Sequence, residues 1–195
     1  MNPPTLVLCL EEPSAKEMLE GILPRLIPSH VQLQFMVFEG KMDLLDRLEM
    51  RIRVWCRPNS RFLVLCDQDG DDCRKLKARL LAILHKSGKE RDCKARIACH
   101  ELENFFLGDL AAIEEGLGRH GLSKLSTKRQ YRDPDTLANA PDQLGKILGE
   151  RYRKCEGARS IAPHLDLTGA NSSTSFNMLV SAICELSGTP KPTAR

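Results

Sequence analysis

Residues 62–69 read FLVLCDQD, an unbroken apolar run over 62–66 that stops at Asp67, Gln68 and Asp69. A short continuous apolar run of this kind suits a strand buried on both faces, as in a parallel sheet covered by helices. The same pattern appears twice more. Residues 6–10 (LVLCL) run into Glu11 and Glu12, and residues 95–99 (ARIAC) run through His100 into Glu101 and Glu103. In an open parallel sheet ligands bind beyond the carboxyl ends of the strands. If these strands are parallel, Glu11, Asp67, Asp69 and Glu103 lie along one edge. Carboxylates crowded there repel one another and raise each other's pKa. A hard cation such as Mg²⁺ (or Mn²⁺) relieves that conflict and prefers oxygen ligands.

Working outward, residues 15–26 carry Leu19, Ile22, Leu23 and Leu26 at helical spacing, with Ser14 as the expected N-cap and Pro28 as the stop. Residues 31–38 (VQLQFMVF) alternate as a half-buried, edge-type strand does. Residues 42–55 are helical, with Leu44, Leu45, Leu48, Ile52 and Trp55 on one stripe. Residues 72–86 form another helix, capped by Asp72, with a basic outer face. The order β-α-β-α-β-α-β calls for a mostly parallel sheet with helices on its faces. Residues 103–107 and 110–117 also read as helices. Residues 119–160 are polar and irregular apart from a helix near 143–152, and a last helix spans about 176–186.

The totals narrow the function. At 195 residues, 42% hydrophobic and 28% charged, the chain is long enough for one domain with a real core. Aromatics make up 5%, with Trp55 the single tryptophan, too few for a platform that stacks single-stranded bases. No apolar run approaches the ~20 residues of a membrane span. The first residues, MNPPTLVLCLEEPS, lack the basic start of a signal peptide, so a cytoplasmic protein is expected. Eight cysteines contain no CxxC pair, which removes the zinc-ribbon reading, and Cys9, Cys66 and Cys99 read as small core residues. Residues 1–72 hold 8 Lys/Arg against 12 Asp/Glu, whereas 74–96 hold 9 against 2. An acidic cluster beside a basic stretch suits a metal-dependent enzyme acting on a phosphodiester, with Arg74, Lys75, Lys77 and Arg79 drawing in nucleic acid. A solvated helix face is the alternative for that stretch.

The residues add up to a resemblance. LEEPS (10–14) after the first strand, DQD (67–69) after the third and ELENFFLGD (101–109) after the fourth resemble the Toprim superfamily. More closely, they look like small stand-alone Toprim-like proteins, and YRDPD (131–135), RYRKCEGARSIAPHLDL (151–167) and NSSTSF (171–176) resemble later blocks of that group. The likeness runs over about residues 5–186. The chain is expected to divide into a Toprim-like α/β core over 1–118, a C-terminal extension over 119–187 packed on the same domain, and a disordered tail over 188–195. The likeness implies Glu11 as general acid/base, Asp67 and Asp69 as Mg²⁺ ligands with Glu103, and Glu101, Asp109 and Asp71 as supporting residues. It further implies a nuclease acting on DNA or RNA beside an AAA- or ABC-type ATPase in anti-phage defence. Glu12 departs from the pattern, standing where the group has a glycine at a sharp turn.

Competing motifs are weaker. DQDGDD begins like an EF-hand loop, but Asp72 and Ala78 replace the required Gly and Glu. GLGRHG (116–121) follows a helix instead of a strand, and HELEN (100–104) lacks a second histidine. Two readings stay open beside the nuclease. One is a non-catalytic Toprim-like subunit that binds its ATPase. The other is a haloacid-dehalogenase-type phosphatase, whose first motif LVLCDQDG resembles, with Asp67 as nucleophile.

Overall fold

The computed structural model describes residues 3–149 and 151–193. Four strands, β1 (Thr5–Leu10), β2 (Gln32–Val37), β3 (Ser60–Asp67) and β4 (Cys93–Ala98), form one sheet in the order β2-β1-β3-β4. Every pairing is parallel. The α/β architecture and the flanking helices are therefore as the apolar runs require, and the alternating strand β2 lies at an edge.

Strand periodicity divides the core in two. Leu6, Leu8 and Leu10 of β1, with Leu63 and Leu65 of β3, face one cluster. Val7 and Cys9, with Phe62, Val64 and Cys66, face the other. The first face is covered by α1 (Pro13–Ile22), α4 (Glu103–Leu107), α5 (Leu110–Leu117), α7 (Ala140–Leu148), α8 (Lys154–Ile161) and α9 (Thr174–Ser187). The second is covered by α2 (Lys41–Arg53) and α3 (Cys73–Lys86). The helix after β1 and the helix after β3 thus leave neighbouring strands for opposite faces. That reversal opens a crevice at the carboxyl ends of β1 and β3, where α/β sheets place their ligands.

Several boundaries differ from expectation. The first helix begins at Pro13, whose fixed φ suits the first helical position, so Ser14 lies inside the helix and Glu12 is the N-cap. It gives way to a 3-10 turn at Leu23–Arg25, because Pro24 offers no N–H to continue the α pattern. Asp72 does cap α3, accepting from Lys75 N at 2.9 Å. Cys9 and Cys66 are buried, whereas Cys99 is only half-buried.

The larger correction is in 119–160, which is mostly ordered. Besides α7 and α8 it holds 3-10 turns at Ser123–Thr127 and Pro134–Thr136 and α6 (Arg129–Arg132). The expected helix near 143–152 starts earlier and ends at Leu148, where Gly149 adopts a left-handed conformation. Of the expected disordered tail, residues 188–193 carry no helix or strand, and 194–195 lie outside the described residues. Among the described residues, no helix is long and apolar enough to cross a membrane.

The extension is bolted to α4 by asparagines. Asn104, fully buried, donates to Pro134 O (2.6 Å) and Leu137 O (2.8 Å) and accepts from Glu101 N (3.0 Å). Asn171 donates to Phe105 O at 2.9 Å and accepts from Ser173 N at 2.8 Å. Asp135 accepts from Ser173 Oγ, Ser175 Oγ and Ser175 N at the start of α9. The YRDPD and NSSTSF blocks therefore fasten the fold. Gly108 sits beneath this lock, and a Cβ there would lie 2.1 Å from Asn171 Oδ1 and 2.8 Å from Ser173 N. Gly→Ala at a helical φ ordinarily stabilises a chain by lowering unfolded-state entropy. Here the clash reverses the sign. Gly108→Ala should destabilise by about 1–3 kcal/mol, read as a lower urea midpoint with unchanged slope; a gain in stability would show that the lock yields freely.

Candidate active site

The crevice collects acids from three strand ends. Glu11 follows β1, and its Oε2 accepts from Asp67 N at 2.9 Å and from Cys66 Sγ at 3.1 Å. The end of β3 thereby fixes this carboxylate. Asp67, 6% exposed, has its pKa raised well above the usual carboxylate range by burial, then by the charges of Glu12, Glu103 and Glu11. The backbone amide of Leu102 opposes that rise. Glu103 opens α4 and is fully buried, and among the described residues neither side-chain oxygen has a hydrogen-bond partner.

Glu12, first read as a departure, proves to be part of the cluster. Its backbone is ordinary extended chain (φ −142°), so no glycine is needed for the turn. Its carboxylate accepts a hydrogen bond from Ser14 Oγ. It is also the neighbouring charge that acts most strongly on Asp67.

The counter-charge comes from a residue the sequence did not single out. Lys154, the first residue of α8, places its ammonium 3.6 Å from Glu12 Oε1, 3.7 Å from Glu101 Oε2 and 3.7 Å from Glu103 Oε2. Partial burial would lower the Lys154 pKa, but Glu103, Glu12, Asp67 and Glu101 outweigh it and the net shift is upward. Glu103 nevertheless has its pKa pushed up to about 7, burial winning over Lys154. The two shifts are compatible because one half-exposed ammonium is shared among several carboxylates, and none of these contacts is at hydrogen-bond distance. Only the basic block RYRKCEGARS hinted at such a residue. Nothing local in the sequence connects it to strand ends far upstream.

Asp69 and Asp71 are held apart from this group. Asp69 adopts a left-handed φ of 50°, a conformation Asp tolerates. Lys41, at the start of α2, pairs with Asp69 Oδ2 at 2.7 Å and Asp71 Oδ2 at 2.9 Å and donates to Gln68 O at 3.0 Å. Burial opposes the Lys41 charge, and bonds to Asp69 and Asp71 raise its pKa overall. Glu101 joins the cluster through Lys154, with burial raising its pKa.

Asp109 does not join it. Its oxygens cap α5 through Ala112 N (3.1 Å) and hold Asp166 N (2.7 Å), so both are committed to backbone amides. Of the four basic residues proposed for nucleic acid, Arg74, Lys75 and Arg79 are exposed. Lys77 instead donates to Ala95 O and is half-buried, burial lowering its pKa.

The donor set is all oxygen, which fits a hard cation, and the Glu103 carboxylate, held only by the 3.7 Å ion pair to Lys154, is what a cation would satisfy. As the side chains stand, no three His, Cys, Asp or Glu among the described residues are gathered closely enough to hold a metal ion. Lysines occupy the neighbourhood instead.

Glu103 gives a pH signature. Its pKa rises from an ordinary 4.5 to about 7 on folding, so between those values the native state binds more protons than the unfolded chain. Stability is then greatest below the unfolded value and falls as pH climbs through the folded one. Asp67 acts in the same direction. In EDTA, wild type should lose on the order of 3 kcal/mol between pH 4.5 and pH 7.5, measured by urea unfolding. Glu103→Gln should flatten most of that slope. A wild type that grows more stable across this window would contradict the buried, unsatisfied carboxylate.

No curated protein matches the chain significantly. Among solved structures, the C-terminal region of the Burkholderia pseudomallei OLD protein is similar at 16% identity and a TM-score of 0.46, covering 91% of this chain and 98% of that one. The family model described as a domain of unknown function (DUF4276) matches residues 10–183. That match spans the strand-end acids, α4 and Lys154 alike, and the chain belongs to the DUF4276 family.

Proposed function

We propose that this protein carries out Mg²⁺- or Mn²⁺-dependent phosphodiester cleavage on nucleic acid, as the Toprim-like nuclease component of an anti-phage system that includes an AAA- or ABC-type ATPase. The observation that carries the proposal is Glu103, a fully buried carboxylate with no hydrogen-bond partner beside the equally enclosed Asp67. Leaving a charged group buried and unsatisfied is costly, and functional sites are where such costs are kept. Asp67 and Glu103 would hold the metal, with Asp69 joining once it leaves Lys41.

A bound Mg²⁺ supplies Lewis-acid polarisation of a phosphoryl oxygen and lowers the pKa of bound water. The protein's own groups do the rest. Glu11, anchored through Asp67 N and Cys66 Sγ, is the proton-transfer group. Lys154 offsets the negative charge of an approaching phosphate, which the acids alone would repel.

One observation favours a second reading. Lys154 and Lys41 already form ion pairs with five of the acids without metal, as a non-catalytic subunit would need. The phosphatase reading is disfavoured, because Asp109, the acid that would have to serve its later motif, has both oxygens committed to backbone amides.

Calorimetric titration with Mn²⁺ should show binding by wild type that Asp67→Asn and Glu103→Gln together abolish. Glu11→Gln should keep that affinity and lose about 10²–10⁴-fold in cleavage of a nucleic-acid substrate. Undiminished Mn²⁺ affinity in the double variant would sink the metal site. Metal binding without cleavage, even with the ATPase present, would support the non-catalytic subunit. An Asp67 adduct trapped by beryllium fluoride would restore the phosphatase.

A further inference from the structure

A groove of about 1340 Å³ is lined by α7, residues 151–153 and α8. Among the described residues four cations line it, namely Lys146, Arg151, Arg153 and Lys154, against the acids Asp142 and Glu156. Glu156 is engaged by Arg153 Nη1, at 3.1 and 3.2 Å to its two oxygens. Lys146 and Arg151 are exposed. Lys154 also lines the groove, and its ammonium lies 3.6–3.7 Å from Glu12, Glu101 and Glu103. One residue therefore belongs to both the groove and the acid cluster.

We propose that this groove is the track along which the phosphodiester backbone of a nucleic acid reaches the cluster. The inference rests on the phosphodiester reading above and names the surface that reading lacks. The groove's volume exceeds the ~300–1,000 Å³ of ordinary small-molecule sites, which suits a polymer. Its cations come from two elements, Lys146 on α7 and Arg151, Arg153 and Lys154 at the approach to α8, and more than one phosphate can be met. The one aromatic residue in it, Tyr152, is turned against Gly157, where a Cβ would lie 2.1 Å from the ring. With that ring packed on α8, the groove offers cations for phosphate more than surface for stacking, so binding rests on the backbone.

The basic face of α3 offers no comparable route. α3 packs on the sheet face opposite α8, its Lys77 is tied to Ala95 O, and the acids at its entry, Asp69 and Asp71, are already paired with Lys41.

The test uses the whole chain in EDTA, with fluorescence anisotropy on a labelled DNA oligonucleotide and on RNA of the same sequence. Lys146→Glu combined with Arg151→Glu should weaken binding at least tenfold and lower the slope of log K against log salt by about 2. Arg74→Glu combined with Lys75→Glu should stay within about twofold of wild type. The polymer whose binding falls identifies DNA or RNA as the occupant. All four positions are exposed, and thermal melts within a few degrees of wild type separate lost binding from lost folding. If the α3 pair loses binding and the groove pair keeps it, the groove is overturned while phosphodiester chemistry stands. If wild type binds neither polymer at low salt, both fall together.

Discussion

Carboxylates crowded at the carboxyl ends of β1, β3 and β4 must be offset, and the rest of the structure is arranged around that need. Asp67 and Glu103 are almost or wholly removed from water, and Glu11, Glu12 and Glu101 surround them. Burying charge without a partner costs several kcal/mol per ion even after relaxation. The fold answers in two ways. It lets the buried acids hold their protons to higher pH, and it brings Lys154 in from the extension. Neither answer satisfies Glu103, whose oxygens keep no hydrogen bond.

The position of Lys154 depends on contacts remote from the acids. α8 packs through Ala158 and Ile161 into the same cluster that holds Leu6, Leu8 and Leu10 of β1. Arg159 pairs with Glu17 of α1, and Arg25 donates to Ala162 O and Leu165 O just beyond α8. On the other side of the crevice, α4 is fixed by Asn104 and Asn171, so the backbone that presents Glu103 cannot drift from Lys154. The polar blocks of the C-terminal half are thus positioning devices.

The sheet and its acid edge were legible because both follow local rules. The buried strands β1 and β3 read as unbroken apolar runs, β4 as one interrupted by Arg96, and all three ran into acid. Glu11, Asp67 and Glu103 were found in this way. What escaped depends on distance. Lys154 lies in a stretch that looks polar and irregular, because α8 (KCEGARSI) buries only small residues and one Ile, and Gly157 weakens its helical signal. Asp109 misled for the opposite reason: an acid after LG resembles a site residue, and only the fold shows its oxygens capping α5 and holding Asp166 N. Glu12 was read through its backbone, and the decisive fact was the direction of its charge.

The two lysines that restrain the acids come from opposite faces of the sheet, and that bears on how the chain divides. Lys41 belongs to α2 on one face, and Lys154 to α8 on the other. A fragment ending near residue 118 would keep Lys41 and the strand ends but lose Lys154. It would also lose the carbonyls of Pro134 and Leu137 that accept from Asn104, and the ammonium that pairs with Glu103. Each such loss costs about 1–3 kcal/mol, a sizeable share of the ~5–15 kcal/mol by which domains are stable. The acid edge is therefore a property of the whole chain: the strands bring the carboxylates together, and the extension makes it possible to keep them there.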